Sequence, residues 1–261
     1  MHLNPGTVKA RSGLLLLGLL LGLLLAGCQA TPPPRAIDTT RLPAADIPAW
    51  PEGREFIVDA DASELRIVVQ SAGRLARFGH PHVLGGPVLS GRVVLSDDWQ
   101  TSALELSMQI EDIVLDKPEW RIAEGFPPEL PDGAIEATRE NLLSPEVLDA
   151  ANHPTIQIRS LGLIGPEFQP DLDVRIILRG EQRDLTVPIS LDLNGDTLIA
   201  TGRFSFLQSD FGIEPFSALG GALAVGDEVL VRFRVVAHAV ASTRGLRATR
   251  AAHSRPCPAR G

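Results

Sequence analysis

Residues 63–95 read SELRIVVQSAGRLARFGHPHVLGGPVLSGRVVL, and this stretch decides the fold. Leu65, Ile67 and Val69 recur at every second position, against polar residues on the other face. A period of two is typical of a strand with one buried face and one solvent-exposed face. The stretch continues through a Gly-rich bend that carries two histidines, and it resumes as a second short strand.

The same alternation recurs along most of the chain. It predicts strands over residues 56–59, 63–71, 90–96, 103–113, 155–163, 171–179, 184–193, 197–207 and 228–239, with a tight hairpin turn at Asn194-Gly195. Residues 134–151 are expected to form one or two short helices, one of them starting at Ser144-Pro145-Glu146. Residues 116–133 are a Pro-rich loop, long enough for a lid or a disordered insertion. This pattern predicts an all-β fold, a closed antiparallel barrel of about eight strands with one helical insertion.

The N-terminal residues predict a lipoprotein. Residues 1–27 combine two cations with a 12-residue run of Leu and Gly, which is too short to span a bilayer but fits a secretory signal. The run ends in Leu-Ala-Gly-Cys, which resembles the bacterial lipoprotein cleavage box and places a lipidated thiol at Cys28. The alternative is an ordinary signal peptide with an incidental cysteine. Residues 28–53 contain six prolines and predict a semi-rigid tether.

Charge excludes one class of partner. Without residues 1–27 the chain keeps 22 basic and 32 acidic side chains, a net charge of −10, so nucleic-acid binding is not expected. Cys257 is the only other thiol, so no intramolecular disulfide forms once Cys28 is acylated. Residues 241–261 carry five arginines and no acid, and we expect a disordered basic tail; the alternative is contact with an anionic envelope surface.

Five pieces of the sequence, in order, resemble the YceI-like proteins, which are bacterial periplasmic lipocalin-like barrels associated with polyisoprenoid binding. The pieces are FIVDADASELRIVV (56–69), GHPHVLGGPVLSGRVVL (79–95), ATRENLLSPEVLDAANHPTIQI (137–158), RIILRGEQRDLTVPI (175–189) and FSFLQSDFGI (204–213). The resemblance implies a lipocalin-like domain over residues 54–240. The chain departs from the family pattern in the long loop 116–133 and at Gln208, where a basic residue is expected.

The sequence predicts a binding protein and not an enzyme, because it carries no recognisable catalytic or phosphate-binding motif. The resemblance implies that the barrel binds an isoprenoid or another long-chain lipid in an apolar cavity, for transport, storage or stress protection. No cofactor is expected other than a bound polyisoprenoid or quinone-like lipid. The candidate lining residues are the apolar ones on the inward faces of the strands: Leu106, Met108, Ile158, Ile176, Val187, Phe204, Phe206, Val231 and Phe233.

Two other functions stay open at this point. One is a barrel with a filled core that acts as an envelope stress or interaction protein. The other is a metal- or haem-linked redox protein that uses His80 and His82, with His153 as a third ligand. We expect His80 and His82 to have a structural or gating role near the barrel mouth, with no metal bound.

The resemblance and the cleavage box together place the protein in the bacterial periplasm, anchored to a membrane through Cys28. Gln29 after the cysteine favours the outer membrane. The oligomeric state is left open.

Overall fold

The computed structural model describes residues 46–241, and these residues form mainly antiparallel strands. The strands are β1 (Arg54–Ala72), β2 (His82–Gly85), β3 (Ser90–Leu95), β4 (Ala103–Gln109), β5 (Val114–Leu115), β6 (Thr155–Ile164), β7 (Asp171–Leu178), β8 (Glu181–Asn194), β9 (Thr197–Leu207), β10 (Ser217–Ala218) and β11 (Leu223–Ala239). The two α-helices in this part of the chain are α1 (Pro118–Ala123) and α2 (Ala134–Leu143).

Eight of the strands close into a barrel. The ring runs β1-β3-β4-β6-β7-β8-β9-β11, and β11 pairs again with β1. The closing pair is long, because Phe56 lies opposite Ala239 at one end and Ala72 lies opposite Ala224 at the other. The expectation of a closed antiparallel barrel of about eight strands is therefore confirmed.

Strand β1 joins two of the predicted strands, 56–59 and 63–71, into one. Its register with β11 shifts between Asp59 and Glu64, which marks a bulge. The hydroxyl of Ser63 accepts a hydrogen bond of 3.0 Å from the amide of Val236 and donates one of 2.6 Å to the carbonyl of Asp59. A side chain thus fills the place of a missing ladder bond, and the strand continues across the bulge.

Close packing between β3 and β4 depends on a glycine. Gly91 lies opposite Leu106 with φ at +141°, and a Cβ there would come within 2.1 Å of the carbonyl oxygen of Glu105. Only glycine can adopt this conformation with the neighbouring strand so close. At the β8–β9 hairpin, Asn194 pairs with Thr197, so the turn residues are Gly195 and Asp196, one position later than predicted.

Two short strands and a helix beside β1 correct the prediction for residues 116–133. We define the outer layer as β2, β5 and α1 with the loops that join them: β2 pairs with the edge of β1, β5 pairs with β2, and Trp120 of α1 packs against Val68 of β1. This segment is not a lid or a disordered insertion, because Trp120 and Arg121 are buried there. The sequence signal for α1 was Pro118 in the first turn followed by Glu119.

The barrel end at which β1 finishes is covered by a cap of short segments. Strand β4 ends at Gln109, earlier than predicted, and Ile110 is fully buried in a short 3-10 turn. The helix start expected at Ser144-Pro145-Glu146 is wrong: α2 ends at Leu143, and the backbone then forms turns. The apolar cap residues are all buried: Ile110, Ile113, Leu148, Phe211 and Ile213.

Candidate functional site: an apolar barrel cavity

The barrel encloses a cavity of about 170 Å³. Apolar side chains from all eight barrel strands line it, and the only polar side chains in the wall are those of Ser102 and Ser160. Because the inward-facing positions alternate along every strand, each strand contributes a row of aliphatic or aromatic groups. The cavity wall therefore offers apolar contact with almost no hydrogen-bonding capacity.

All nine residues predicted from the sequence to line a cavity do line it. Leu106 and Met108 come from β4, and Phe204 and Phe206 come from β9. The wall also contains residues that were not selected from the sequence, because their alternation resembles that of any packed core; they include Leu65, Ile67, Leu104, Val174 and Ile189. That the nine residues bind a ligand stays a prediction.

Aromatic rings run from the middle of the cavity wall to the cap. Phe204 contacts Phe233 edge to face, with the ring centroids 6.5 Å apart, and Phe206 contacts the cap residue Phe211 in the same way at 5.3 Å. Edge-to-face contacts between aromatic rings stabilise a structure beyond the area they bury. The rings therefore form a connected wall up to the covered end.

The two ends of the cavity differ. Met108, Leu178 and Phe206 lie near the capped end, which the buried cap residues close. At the other end the wall includes Leu95, Leu163 and Leu191, which are partly exposed, and both wall serines lie there. This rim, where the β8–β9 hairpin lies, is less completely covered than the capped end.

His82 belongs to a buried polar network in the outer layer. Its Nδ1 lies 2.7 Å from Oδ2 of Asp116, whose other oxygen accepts bonds from the amide of Val83 at 2.9 Å and from Arg121 at 2.7 Å. Arg121 also donates to the carbonyls of Pro81 and Pro127, each at 2.7 Å. The network thus ties β2, the turn before α1 and the loop after it to one carboxylate.

Asp116 remains ionised through these bonds. Burial alone would raise the pKa of the Asp116 carboxyl, but the hydrogen bonds from His82, Val83 and Arg121, together with the charge of His82, outweigh burial and hold its pKa below the ordinary value. The backbone at Asp116 has φ at +51°, a left-handed conformation that aspartate tolerates better than most residues. This network cannot be predicted from the sequence pattern, because its members follow no period.

The family follows from a sequence comparison. The profile of the YceI-like domain matches residues 56–237, which cover the barrel strands almost completely. The chain belongs to the YceI-like family. Its barrel also resembles the crystal structure of Burkholderia cenocepacia BcnA, with a TM-score of 0.52 at 15% identity, over 69% of this chain and 98% of BcnA.

A second YceI-like structure is similar over a smaller share of the chain. The Campylobacter jejuni YCEI protein, in crystals with large solvent channels, matches with a TM-score of 0.43 at 9% identity, over 59% of this chain and 82% of that one. Among curated proteins, none matches this chain.

In this YceI-like barrel, the histidines do not converge. Neither His80 nor His82 lines the cavity, and His153 lies against Gly180 at the β7–β8 turn. Within residues 46–241, no group of three His, Cys, Asp or Glu side chains is arranged to hold a metal ion. His82 pairs with Val69 of β1, at the capped end and not at the rim, so the expected position near the barrel mouth is wrong. The gating role of His80 and His82 stays a prediction, while the contact of His82 with Asp116 is structural.

Gln208 of the YceI-like domain has a backbone partner. Its side chain is buried and donates a 2.8 Å hydrogen bond to the carbonyl of Gly226 on β11. A neutral amide satisfies this position, and a cation is not needed there. At this position, where the chain departs from the family pattern, the side chain bonds to the backbone of β11 and does not line the cavity.

The predicted anchor and tail lie outside the described residues. These are the signal peptide over 1–27, Cys28, the tether up to residue 45, and residues 242–261 of the tail. The last tether residues are described, and Trp50 lies on the guanidinium of Arg92, 4.2 Å from ring centroid to carbon. No helix between residues 46 and 241 has the length and hydropathy needed to cross a bilayer.

Proposed function

We propose that this protein binds a long-chain apolar lipid of the isoprenoid type in the barrel cavity. The observation that carries the proposal is the cavity wall, which is apolar except for two serines at the rim. Family membership and the barrel fold agree with hydrophobic ligand binding. A hydrocarbon chain gains about 0.8 kcal/mol for each methylene that it buries, and it needs no hydrogen-bond partner.

The size of the cavity sets a condition on the ligand. About 170 Å³ lies below the range of about 300–1,000 Å³ typical of ligand pockets. A long chain therefore displaces wall side chains as it binds. Met108, with three rotatable bonds, and the ring of Phe204 next to the cavity are suited to such movement.

The direct experiment is native mass spectrometry of the full-length protein purified from membranes. We expect a prenyl or other long-chain lipid to co-purify at one molecule per chain. A protein that is always empty supports the filled-core alternative, and a bound metal or haem supports the redox alternative.

A chain-length series tests the cavity itself. We expect the affinity for 1-alkanols to rise about fourfold for each added methylene, since about 0.8 kcal/mol corresponds to that factor, and then to level off. The length at which it levels off reports how far the cavity expands. An affinity that does not depend on chain length contradicts burial of the chain inside the barrel.

The second part of the proposal is the location: a periplasmic lipoprotein held to the outer membrane through Cys28. The sequence Leu-Ala-Gly-Cys after the Leu-rich run supports it, as does Gln29. Cys28→Ser is expected to give a soluble or uncleaved protein in membrane fractionation. Normal processing of Cys28→Ser, with continued partitioning into membranes, contradicts the anchor.

A further inference from the structure

The ladder between β4 and β6 stops before either strand ends. The last paired residues are Glu105 and Arg159, although β4 begins at Ala103 and β6 continues to Ile164. Beyond this pair, the amide of Leu104 donates a 2.9 Å hydrogen bond to the hydroxyl of Ser160. One side chain thus replaces the backbone pairing at this part of the rim, and we call this place the seam.

A cleft of about 480 Å³ lies at the seam. Its lining residues are 47–51, 92, 100–105 and 159–162. Ser102, Ala103, Leu104 and Ser160 line both the cleft and the barrel cavity. The cleft and the cavity are therefore separated by a wall only one residue thick, and that wall is the seam.

The cleft differs from the cavity in its charge. Arg159 and Arg92 contribute two guanidinium groups to its lining, and Glu105 contributes the one carboxylate. Glu105 accepts a 2.8 Å bond from Arg159, and Arg92 lies 3.9 Å from its other oxygen. Arg92 also lies 3.5 Å from a carboxylate oxygen of Glu55, which does not line the cleft. Within the described residues, Nε of Arg159 is buried and has no hydrogen-bond partner.

An unpaired buried N–H of a guanidinium is costly, so an oxyanion in the cleft would be favoured once a small movement of the Arg159 side chain brought Nε to it. Gly162 lies at the same place, and a Cβ built there meets nothing within 4 Å. The cleft lining therefore combines two guanidinium groups and one carboxylate with free space at Gly162, whereas the lining of the neighbouring cavity carries no charge.

We propose that the cleft binds the oxyanion headgroup, phosphate or carboxylate, of the amphiphile whose chain occupies the cavity, with the molecule crossing the rim at the seam. This inference rests on the proposed function, because a headgroup site is needed only when a chain occupies the cavity. Trp50, stacked on Arg92, holds that guanidinium toward the cleft.

The test compares probes with one chain and different headgroups. All strands of the barrel lie within residues 54–239, so the chain can be produced without residues 1–27 and with Cys28→Ser. Calorimetry then measures dodecyl phosphate, dodecanol and inorganic phosphate. We expect dodecyl phosphate to bind at least about tenfold more tightly than dodecanol, because its headgroup gains a charge-assisted hydrogen bond. Inorganic phosphate should bind far more weakly than either amphiphile.

Two variants locate the headgroup. Arg159→Gln should remove the preference for dodecyl phosphate and leave the affinity for dodecanol unchanged. The matched control is Arg203→Gln, the same change at an exposed arginine on the outer face of β9, which should keep the preference. Gly162→Phe fills the cleft with an uncharged ring and should also remove the preference, so the result does not depend on one variant folding well.

The outcomes separate the two proposals. If dodecanol binds and dodecyl phosphate binds no more tightly, the headgroup site is wrong and the proposed function stands. If neither amphiphile binds, the proposed function is wrong and the headgroup site with it. Inorganic phosphate that binds as tightly as dodecyl phosphate would make the cleft a free-anion site and overturn the inference.

Discussion

The barrel cavity and the outer layer are both shielded from water, but their buried surfaces are different in kind. The cavity wall contains no charged side chain and holds unfilled space. The outer layer packs Val83 and Trp120 against Val68 of β1, next to an ionised Asp116 and a buried Arg121. Apolar contacts have no direction, whereas each hydrogen bond to Asp116 fixes two atoms relative to one another.

This difference shows how one small domain can contain an adaptable region and a fixed one. The cavity wall can rearrange around guests of several lengths, because no bond in it depends on one geometry. The outer layer cannot, since a displaced partner leaves a buried charge unpaired. Four experiments test this contrast.

The largest effect is expected from Asp116→Asn. The amide cannot accept all the hydrogen bonds that the carboxylate accepts, and Arg121 is left buried without its counter-charge. We expect the free energy of unfolding to fall by about 3–5 kcal/mol in urea denaturation. Ligand binding at a temperature where the variant is folded should be little changed, because Asp116 does not line the cavity.

The control for this prediction is Asp196→Asn. Asp196 also pairs with an arginine, Arg54, but its side chain is 87% exposed. An exposed pair contributes about 0–1 kcal/mol, so a small change is expected. Equal losses in the two variants would mean that the outer layer is not specially dependent on its buried charge.

The second prediction concerns how the stability loss caused by Asp116→Asn depends on pH. Because the folded pKa of Asp116 is lowered, its contribution is fully present above the unfolded pKa of about 3.9 and is lost as the pH falls through the folded value. The difference in unfolding free energy between wild type and Asp116→Asn should therefore begin to narrow below about pH 5 and continue to narrow as the pH falls toward the folded pKa. A difference that stays constant over this range would assign the loss to geometry and not to charge.

A smaller effect is expected in the cavity. Phe233→Trp enlarges a wall side chain beside free space, so the free energy of unfolding should change by less than about 1 kcal/mol, whereas overpacking a filled core costs about 1–3 kcal/mol. The added volume displaces about one methylene of a guest and should weaken dodecanol binding about fourfold. Calorimetry and urea denaturation measure the two quantities separately.

The same substitution at Phe168, which is exposed and does not line the cavity, is the control and should change neither quantity. A marked loss of stability in Phe233→Trp with unchanged binding would show that the interior behaves as a filled core.

The smallest effect is expected from Arg66→Gln. The Arg66 guanidinium lies 4.1 Å from the ring centroid of Trp120 and holds α1 against β1. Loss of this cation–π contact should lower the unfolding free energy by about 0.5 kcal/mol. Arg203→Gln, on the same outer face, should have no measurable effect, and a similar loss there would point to net charge as the cause.

Period-two alternation predicted the strands and the barrel, because each barrel strand has one face in the interior. Residues 60–62 break the alternation, so the sequence pattern predicts two strands there. In the structure they form one strand with a bulge, because the Ser63 hydroxyl takes the place of a ladder bond. Alternation identifies the inward positions, which is why the nine candidate residues do line the cavity. Alternation does not show where the interior is filled and where it is free, because that depends on packing across the barrel, so the other lining residues were not selected.

The outer layer was predicted least well. A Pro-rich composition favoured a loop over 116–133, and nothing local showed that Asp116 would meet His82 from a strand 34 positions earlier. Long-range pairing of single polar residues leaves no period in a sequence. The cleft cannot be predicted from the alternation either. It lies where the β4–β6 ladder stops, and the alternation of both strands continues past that point.

The pairing of β1 with β11 has a consequence for folding. The first and last strands of the barrel are neighbours along almost their whole length, so the ring stays open until residues 223–239 are available. A chain stopped after β9 would expose the apolar face of every preceding strand, with an unpaired edge at each side. Contacts of such high sequence separation slow folding to milliseconds or seconds. Closure of the barrel is therefore expected to be a late step in folding, which waits for the final strand.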